Sequence, residues 1–425
     1  MKFDNIFWEN FLKSSNNFLE TTVIKDAISE SDISKLNQGV MDVIRNRLNL
    51  EDIEEGFRVY LNGKEQNEDY LKNLCKTPPT EDEDIEAYYK RMFNTKFGII
   101  INSGERHSEA IAQIIGNAAA PLISKVGLPP LGIEITIFIG NYGWTPLGIH
   151  QDHLGENVIH FHLGPGGKVM YTWEEDEYKI LADSKQNNKD ITPLLPRAMQ
   201  FPFSKGDLYY MPWNKFHIGY TGELSVGITL WLNNPFKKKY ANRILESFKY
   251  NYIKDDKTII PNHTSILNDY SALNDLIDVF DLSKDILDYN VKDFFKYMYD
   301  EFNMTLVSNG YWQNPPLALE KLNGYCPDNE FYDLNNKEVI QPKPFNIMYT
   351  IHNNKISVYV RGSKMIMDYH DELVEVIKKL NYNEKIVVNT FLSESTMNFP
   401  KEAILYFLSL IYNKRGLIIC NDQNL

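Results

Sequence analysis

The stretch that decides the fold begins GIHQDHLGEN (148–157) and ends FPFSKGDLYYMPWNKFHIGY (201–220). It carries His150, Asp152 and, far downstream, His217. Two imidazoles and one carboxylate can cap a single face of Fe(II) and leave the opposite face open. On a strand, residues i and i+2 point to the same side, so His150 and Asp152 are expected to face one way. His217 would arrive from a second strand packed opposite. A His-x-Asp pair alone is common by chance, and a lone histidine near a sheet end is usually just hydrogen-bonded. The surroundings of His217 give the pattern its weight.

Lys205-Gly206-Asp207-Leu208-Tyr209-Tyr210-Met211-Pro212 is a turn, a short apolar strand and a proline stop just before His217. A Gly-Asp turn leading into such a strand is hairpin chemistry. Ser225-Val226-Gly227-Ile228-Thr229-Leu230-Trp231-Leu232 follows, rich in β-branched and apolar residues. Upstream, Ile133, Ile135, Ile137 and Ile139 alternate along a further strand with one buried face. Together these resemble the double-stranded β-helix, a jelly-roll, of JmjC and cupin-like Fe(II)/2-oxoglutarate-dependent oxygenases. Within that class the chain resembles the bacterial ribosomal-oxygenase branch, which joins a JmjC barrel to a C-terminal winged helix.

The resemblance implies that His150, Asp152 and His217 hold iron and that 2-oxoglutarate is the cosubstrate. It implies a dioxygenase that hydroxylates a protein or peptide side chain, with succinate and CO2 as coproducts. The cosubstrate's distal carboxylate needs a cation, and lysine can serve as a point charge. Lys168 opens a strand just after the turn Gly164-Pro165-Gly166-Gly167, where the family pattern also places a basic residue. An ordinary solvated lysine at a strand start is the competing explanation. Asn157, Thr145 and Tyr171 are further candidates for polar contacts to the cosubstrate. His153, His160 and His162 are not assigned as ligands; such histidines more often line a site through hydrogen bonds.

Composition fits a globular α+β enzyme: 43% hydrophobic and 24% charged residues over 425. That length exceeds one compact core. A net charge of −13 disfavours general nucleic-acid binding and permits a basic partner. The acidity is concentrated before Gln341, since the residues from there onward carry ten Lys/Arg and eight Asp/Glu. No apolar run is long enough to span a membrane, and Cys75, Cys326 and Cys420 are too scattered for a disulfide framework or zinc motif. A cytoplasmic location is therefore expected.

Four regions are expected: an N-terminal helical lead (1–130), the catalytic barrel (131–235), a helical linker (236–340) and a winged-helix-like unit (341–425). Helical spacing of Ile33, Leu36, Val40, Val43 and Ile44 supports the first. In the resembled branch the linker helices often form a dimer interface, so a homodimer is expected. In the tail, Asn353-Asn354 joins two strands as a hairpin turn, and Val360-Arg361-Gly362 ends one of them. The candidate recognition helix, Lys401 to Tyr412, offers only Lys401 against Glu402, which argues against DNA. Docking of a precursor peptide's leader is an alternative role for this tail. A metal cupin with isomerase or lyase chemistry, or a non-enzymatic metal-sensing regulator, are the alternatives for the whole chain. The acidic Glu174-Glu175-Asp176-Glu177 run sits in a presumed insertion, Trp173–Pro202, near the mouth of the site.

Overall fold

The computed structural model describes residues 3–50, 56–260, 271–323, 332–382, 385–394 and 399–420. The strands of the first 233 residues, in chain order, are β1 (Thr22–Ile24), β2 (Phe57–Leu61), β3 (Lys64–Glu65), β4 (Phe97–Asn102), β5 (Ile133–Gly140), β6 (Gly143–Trp144) and β7 (His150–Gln151). They continue with β8 (Glu156–Pro165), β9 (Lys168–Trp173), β10 (Met199–Phe203), β11 (Leu208–Met211), β12 (Phe216–Thr221) and β13 (Ser225–Asn233). They form two antiparallel sheets. The larger runs β1-β11-β8-β13-β5-β4-β2-β3; the smaller runs β10-β9-β12-β6, with β7 also paired to β12. The turns after Pro165, Phe203 and Thr221 each carry the chain from one sheet to the other. Strands remote in sequence therefore line one cavity between the sheets.

The larger sheet has two unlike faces, as the isoleucine alternation predicts. Ile133, Ile135, Ile137 and Ile139 are fully buried on one side, in a core shared with Trp8, Leu36, Val40, Ile111 and Ile115. Burying each such side chain contributes about 1.5–3 kcal/mol. The covering helices span Asn5–Ser14, Glu30–Asn49 and Glu109–Val126. Ser29 and Ser108 cap the last two, accepting from the amides of Asp32 and Ile111. The intervening residues of β5, Glu134, Thr136 and Phe138, line the cavity instead.

The N-terminal lead departs from a purely helical one. Its strands β1 to β4 extend the larger sheet, because the run Phe97-Gly98-Ile99-Ile100-Ile101 is β-branched and finds the open edge of β5, with Ile101 opposite Ile137. The sheet is thus wider than the 131–235 segment that supplies its centre. Within Trp173–Pro202, a helix spans Glu175–Ala182, and Trp173, Tyr178, Leu194 and Phe216 form their own core. Glu174 pairs with Lys215 and Glu177 with Arg197, so this acidic run is partly neutralised within the chain.

After Pro235, helices span Lys237–Tyr252, Ser271–Asp278 and Val291–Ser308; the expected irregular stretch around Pro261 and Cys326 both lie outside the described residues. Neither Cys75 nor Cys420 is in a disulfide. The tail contains a meander of strands Met348–His352, Lys355–Val360 and Ser363–Asp368. Its reversals, Asn353-Asn354 and Arg361-Gly362, are two-residue turns with φ of +47°, +56°, +48° and +78°, the sign pattern of type I′ hairpins. Helices Asp371–Asn381 and Lys401–Asn413 bury Leu373, Val376, Ile377, Ile404, Phe407 and Ile411 in a core of the tail's own.

An ion triad fastens that tail to the rest. Arg361 is 1% exposed and grips Glu109 through Nη1 at 2.7 and 2.8 Å, while Arg415 reaches the same carboxylate at 3.0 Å. Burial alone would raise the Glu109 carboxyl; the two guanidinium groups outweigh it and hold it below its ordinary value. Among the described residues, no helix is long and apolar enough to cross a membrane.

Candidate metal centre

His150 and His217 are direct cross-strand partners on β7 and β12, with ring centres 4.3 Å apart. Strand β7 is only two residues long, so Asp152 lies just beyond it rather than on the strand. The i, i+2 relation nevertheless brings Asp152 Oδ1 to 3.9 Å from Nε2 of each histidine. Ligand atoms of all three residues lie within 4.8 Å of one another. Two glycines shape this segment. Gly148 and Gly155 have φ of +80° and +87°, and a Cβ there would lie 2.8 Å from Asn188 O and 1.8 Å from Asn234 O.

The donor set suits a divalent cation. Nδ1 of His150 lies 2.9 Å from Gly148 O, and Nδ1 of His217 lies 3.3 Å from Lys215 O. Placing the proton on each Nδ1 leaves both Nε2 lone pairs bare toward Asp152. Burial, aided by the neighbouring His217, pushes His150 down to about 4. Burial, aided by Lys168, does the same to His217, again to about 4. Both are therefore neutral, the ligating form, near pH 7. Asp152 Oδ2 is buried without a hydrogen-bond partner, and burial pushes the carboxyl up to about 7. A buried carboxylate lacking a partner is costly, and a bound cation would relieve that cost.

The triad opens on a cavity of about 830 Å³ lined by both sheets. Lys168, at the start of β9, is 8% exposed and also lines it. Its ammonium lies 5.4 Å from the centre of the Phe138 ring, and no carboxylate is within ion-pair distance of it among the described residues. Thr145 lines the cavity too, donating its hydroxyl to Gly219 O at 3.0 Å. Sequence reasoning passed over Gly219. A Cβ there would stand 2.8 Å from Lys168 Cε and 3.1 Å from Thr145 Oγ1, so the missing side chain makes room for both. A glycine two residues after a candidate ligand on the same strand was the available signal.

Two candidates do not reach the cavity. Asn157 sits between inward-facing Glu156 and Val158 on β8; its Oδ1 accepts from the Trp213 amide at 3.2 Å, and it lines a separate groove of about 250 Å³. Tyr171 sits between Met170, which faces the cavity, and Thr172, and it packs outward against Trp144. Strand alternation accounts for both: inward Lys168 and Met170 force Tyr171 outward. His153 lines the mouth but is exposed and outside the ligand cluster. His160 lines the cavity, whereas His162 Nε2 bonds to Gly166 O at 2.8 Å.

A pair of carboxylates lies at the cavity wall. Glu134 lines the cavity, and Glu105, 2% exposed, accepts from the Ile135 amide at 3.2 Å with its other oxygen unpartnered. Burial first, and the Glu134 carboxylate second, push Glu105 up to about 8 from an ordinary 4.5. Below about 4.5 this acid is protonated in folded and unfolded chains alike. Between about 4.5 and 8 the unfolded chain ionises first, so stability is lost as pH rises. Glu105→Gln is expected to raise the urea midpoint at pH 8, by stability on the order of a few kcal/mol, with little gain at pH 4. An equal gain at both values would show that ionisation of Glu105 is not what costs stability.

No family model matches the chain, and no curated protein matches it. Among solved structures, Escherichia coli YcfD overlays at 14% identity over 97% of each chain, with a TM-score of 0.47. The same E. coli protein, a ribosomal oxygenase in complex with cobalt and 2-oxoglutarate, overlays at 16% identity over 96% of this chain and 98% of that one, TM-score 0.45. The non-heme α-ketoglutarate-dependent epimerase SnoN from nogalamycin biosynthesis gives 10% identity over 54% and 84%, TM-score 0.32. Overlaps this loose carry no argument about activity, so the site's own geometry must carry it.

Proposed function

We propose that this chain is an Fe(II)- and 2-oxoglutarate-dependent oxygenase that hydroxylates a side chain of a protein or peptide, with succinate and CO2 as coproducts. One observation carries the proposal: three convergent ligand atoms share a cavity with a buried lysine that has no carboxylate partner among the described residues. The two linked antiparallel sheets fit a double-stranded β-helix, and the tail fits a winged helix.

His150, Asp152 and His217 would hold the iron on one face. Iron and cosubstrate together would supply the oxidising chemistry. The chain's own part is positional. Nδ1 contacts to Gly148 and Lys215 fix the imidazoles, Lys168 receives the distal carboxylate, and Gly219 keeps that path open. The cavity exceeds the needs of a small dicarboxylate, leaving room for one entering side chain. Gln151, Leu154, Gln186 and Asn187 line its mouth, where a polypeptide client would lie.

The linker helices expose Leu245, Tyr250, Leu273, Leu276 and Val291, apolar side chains that a second copy of the chain would cover. Nucleic acid is not the proposed partner, because the tail lacks a basic helix. A ferrous site and described cysteines outside any disulfide suit the cytoplasm. A narrower version is favoured by strand Ser363–Asp368, which ends its sheet and exposes Ile366. An extended precursor peptide would dock along that edge.

The test supplies Fe(II), 2-oxoglutarate and candidate proteins or peptides to the purified chain. Succinate should form, and one client should gain a single oxygen atom by mass spectrometry. Untouched 2-oxoglutarate with every client would defeat the proposal in favour of another metal cupin activity.

A further inference from the structure

Polar atoms without partners remain in the cavity wall after the metal ligands are accounted for. The one best placed is Nε2 of His160, on β8. His160 is 5% exposed and lines the cavity, and its Nε2 is buried with no hydrogen-bond partner. Its other nitrogen lies 2.8 Å from Thr229 Oγ1 on β13. The ring lies flat against Gly227, where a Cβ would stand 2.3 Å from Nε2, so no other residue type leaves space for it. A register irregularity between β13 and β8 falls between Val226 and Gly227, at the same point.

Lys168 reaches this spot from the opposite sheet. It crosses Gly219, and its ammonium lies over the Phe138 ring. Phe138 is the cross-strand partner of Gly227, on which His160 rests. Two glycines, one from each sheet, thus make room for an ammonium and an unsatisfied imidazole in the wall of one cavity. Burial first, then the charge of Lys168, holds the imidazole well below its ordinary value, hence neutral.

We propose that His160 is the second donor to the cosubstrate's distal carboxylate, its proton held on Nε2 by Thr229. With the Thr229 hydroxyl donating to Nδ1, Nε2 carries the N–H, set in the cavity wall. A neutral donor beside Lys168 adds a charge-assisted hydrogen bond without adding a second cation. One carboxylate then meets one positive charge. The proposal rests on the oxygenase reading above, and its test separates the two.

The full chain, loaded with redox-inert Zn(II), is titrated calorimetrically with 2-oxoglutarate and with oxalate, which chelates metal but has no distal arm. Wild type, His160→Phe and the near-isosteric Thr229→Val are compared, with thermal unfolding as the check on folding. Both variants should bind 2-oxoglutarate about tenfold or more weakly and oxalate as wild type does. If His160→Phe fails to fold, Thr229→Val still gives the comparison. Equal 2-oxoglutarate affinity in wild type and variants would overturn the proposal. So would parallel loss of oxalate, which would place His160 in support of the metal site alone. Wild type that binds oxalate but not 2-oxoglutarate would instead bring down the underlying cosubstrate assignment.

Discussion

Asp152→Ala is expected to lose metal-dependent stabilisation and all succinate formation. The carboxylate is the one anionic member of the ligand set, and its Oδ2 has no other partner. Metal affinity should fall by at least about 100-fold, the upper range even for losing an outer-shell partner. Thermal unfolding reads this directly. At metal concentrations about 100-fold above the wild-type dissociation constant, wild type gains about 2.7 kcal/mol, whereas the variant should gain at most about 0.4 kcal/mol. Without metal the variant should be no less stable than wild type near pH 8, because it no longer buries an unpartnered charge. The pH dependence of binding follows as well. The histidines, pushed down to about 4 by burial, are already deprotonated at neutral pH, whereas Asp152 is pushed up to about 7. Metal must therefore displace one proton below about pH 7, and affinity should fall as pH drops through that value. Equal metal-induced shifts in both proteins would refute the assigned triad.

Arg361→Ala should be the most destabilising single change outside the barrel. It removes the principal partner of a buried carboxylate, and breaking such a pair costs about 3–5 kcal/mol. It also vacates the face of Phe345, whose ring centre lies 3.4 Å from the guanidinium carbon, and a hydrogen bond to Asn309 Oδ1 at 3.3 Å. Arg361→Lys keeps the charge but loses the Nε–H bond to Asn309 Oδ1 and the planar face over Phe345, so an intermediate loss is expected. Urea unfolding measures both, and limited proteolysis of the tail reports whether it detaches first. A loss below about 1 kcal/mol for Arg361→Ala, the range of an exposed pair, would show that the triad does not hold the tail.

The sequence exposed the metal triad because chemistry and periodicity agreed there. Histidine and aspartate two apart, then a histidine at the start of a bounded strand, carry a signal needing no knowledge of the third dimension. Ile133 to Ile139 was legible for the same reason: one period, one face. Asn157 and Tyr171 failed on parity. Each is one residue from an inward-facing neighbour, and nothing local says which parity points inward until the partner strand fixes it. Of the strands in the first hundred residues, β1 and β3 were missed because they are two or three residues long and owe their existence to edges supplied elsewhere, whereas β2 and β4, five and six residues long, carried a readable β-branched and aromatic signal that was passed over. Gly219 and Gly227 were invisible as site residues because their role is to be absent. Only Lys168 and His160 lying over them reveal it.

The Glu109–Arg361–Arg415 triad also imposes an order of assembly. Glu109 and Arg361 are separated by 252 positions in the chain. At about 5–20 residues per second, synthesis reaches Arg361 on the order of tens of seconds after Glu109 has left the ribosome. The sheets and their covering helices are complete in sequence long before then. During that interval the surface meant for the tail presents to solvent a carboxylate bonded only by Gln113 of its own helix, whose hydration discourages unrelated apolar segments from settling on it. Arrival of the two arginines pairs that carboxylate and closes the surface.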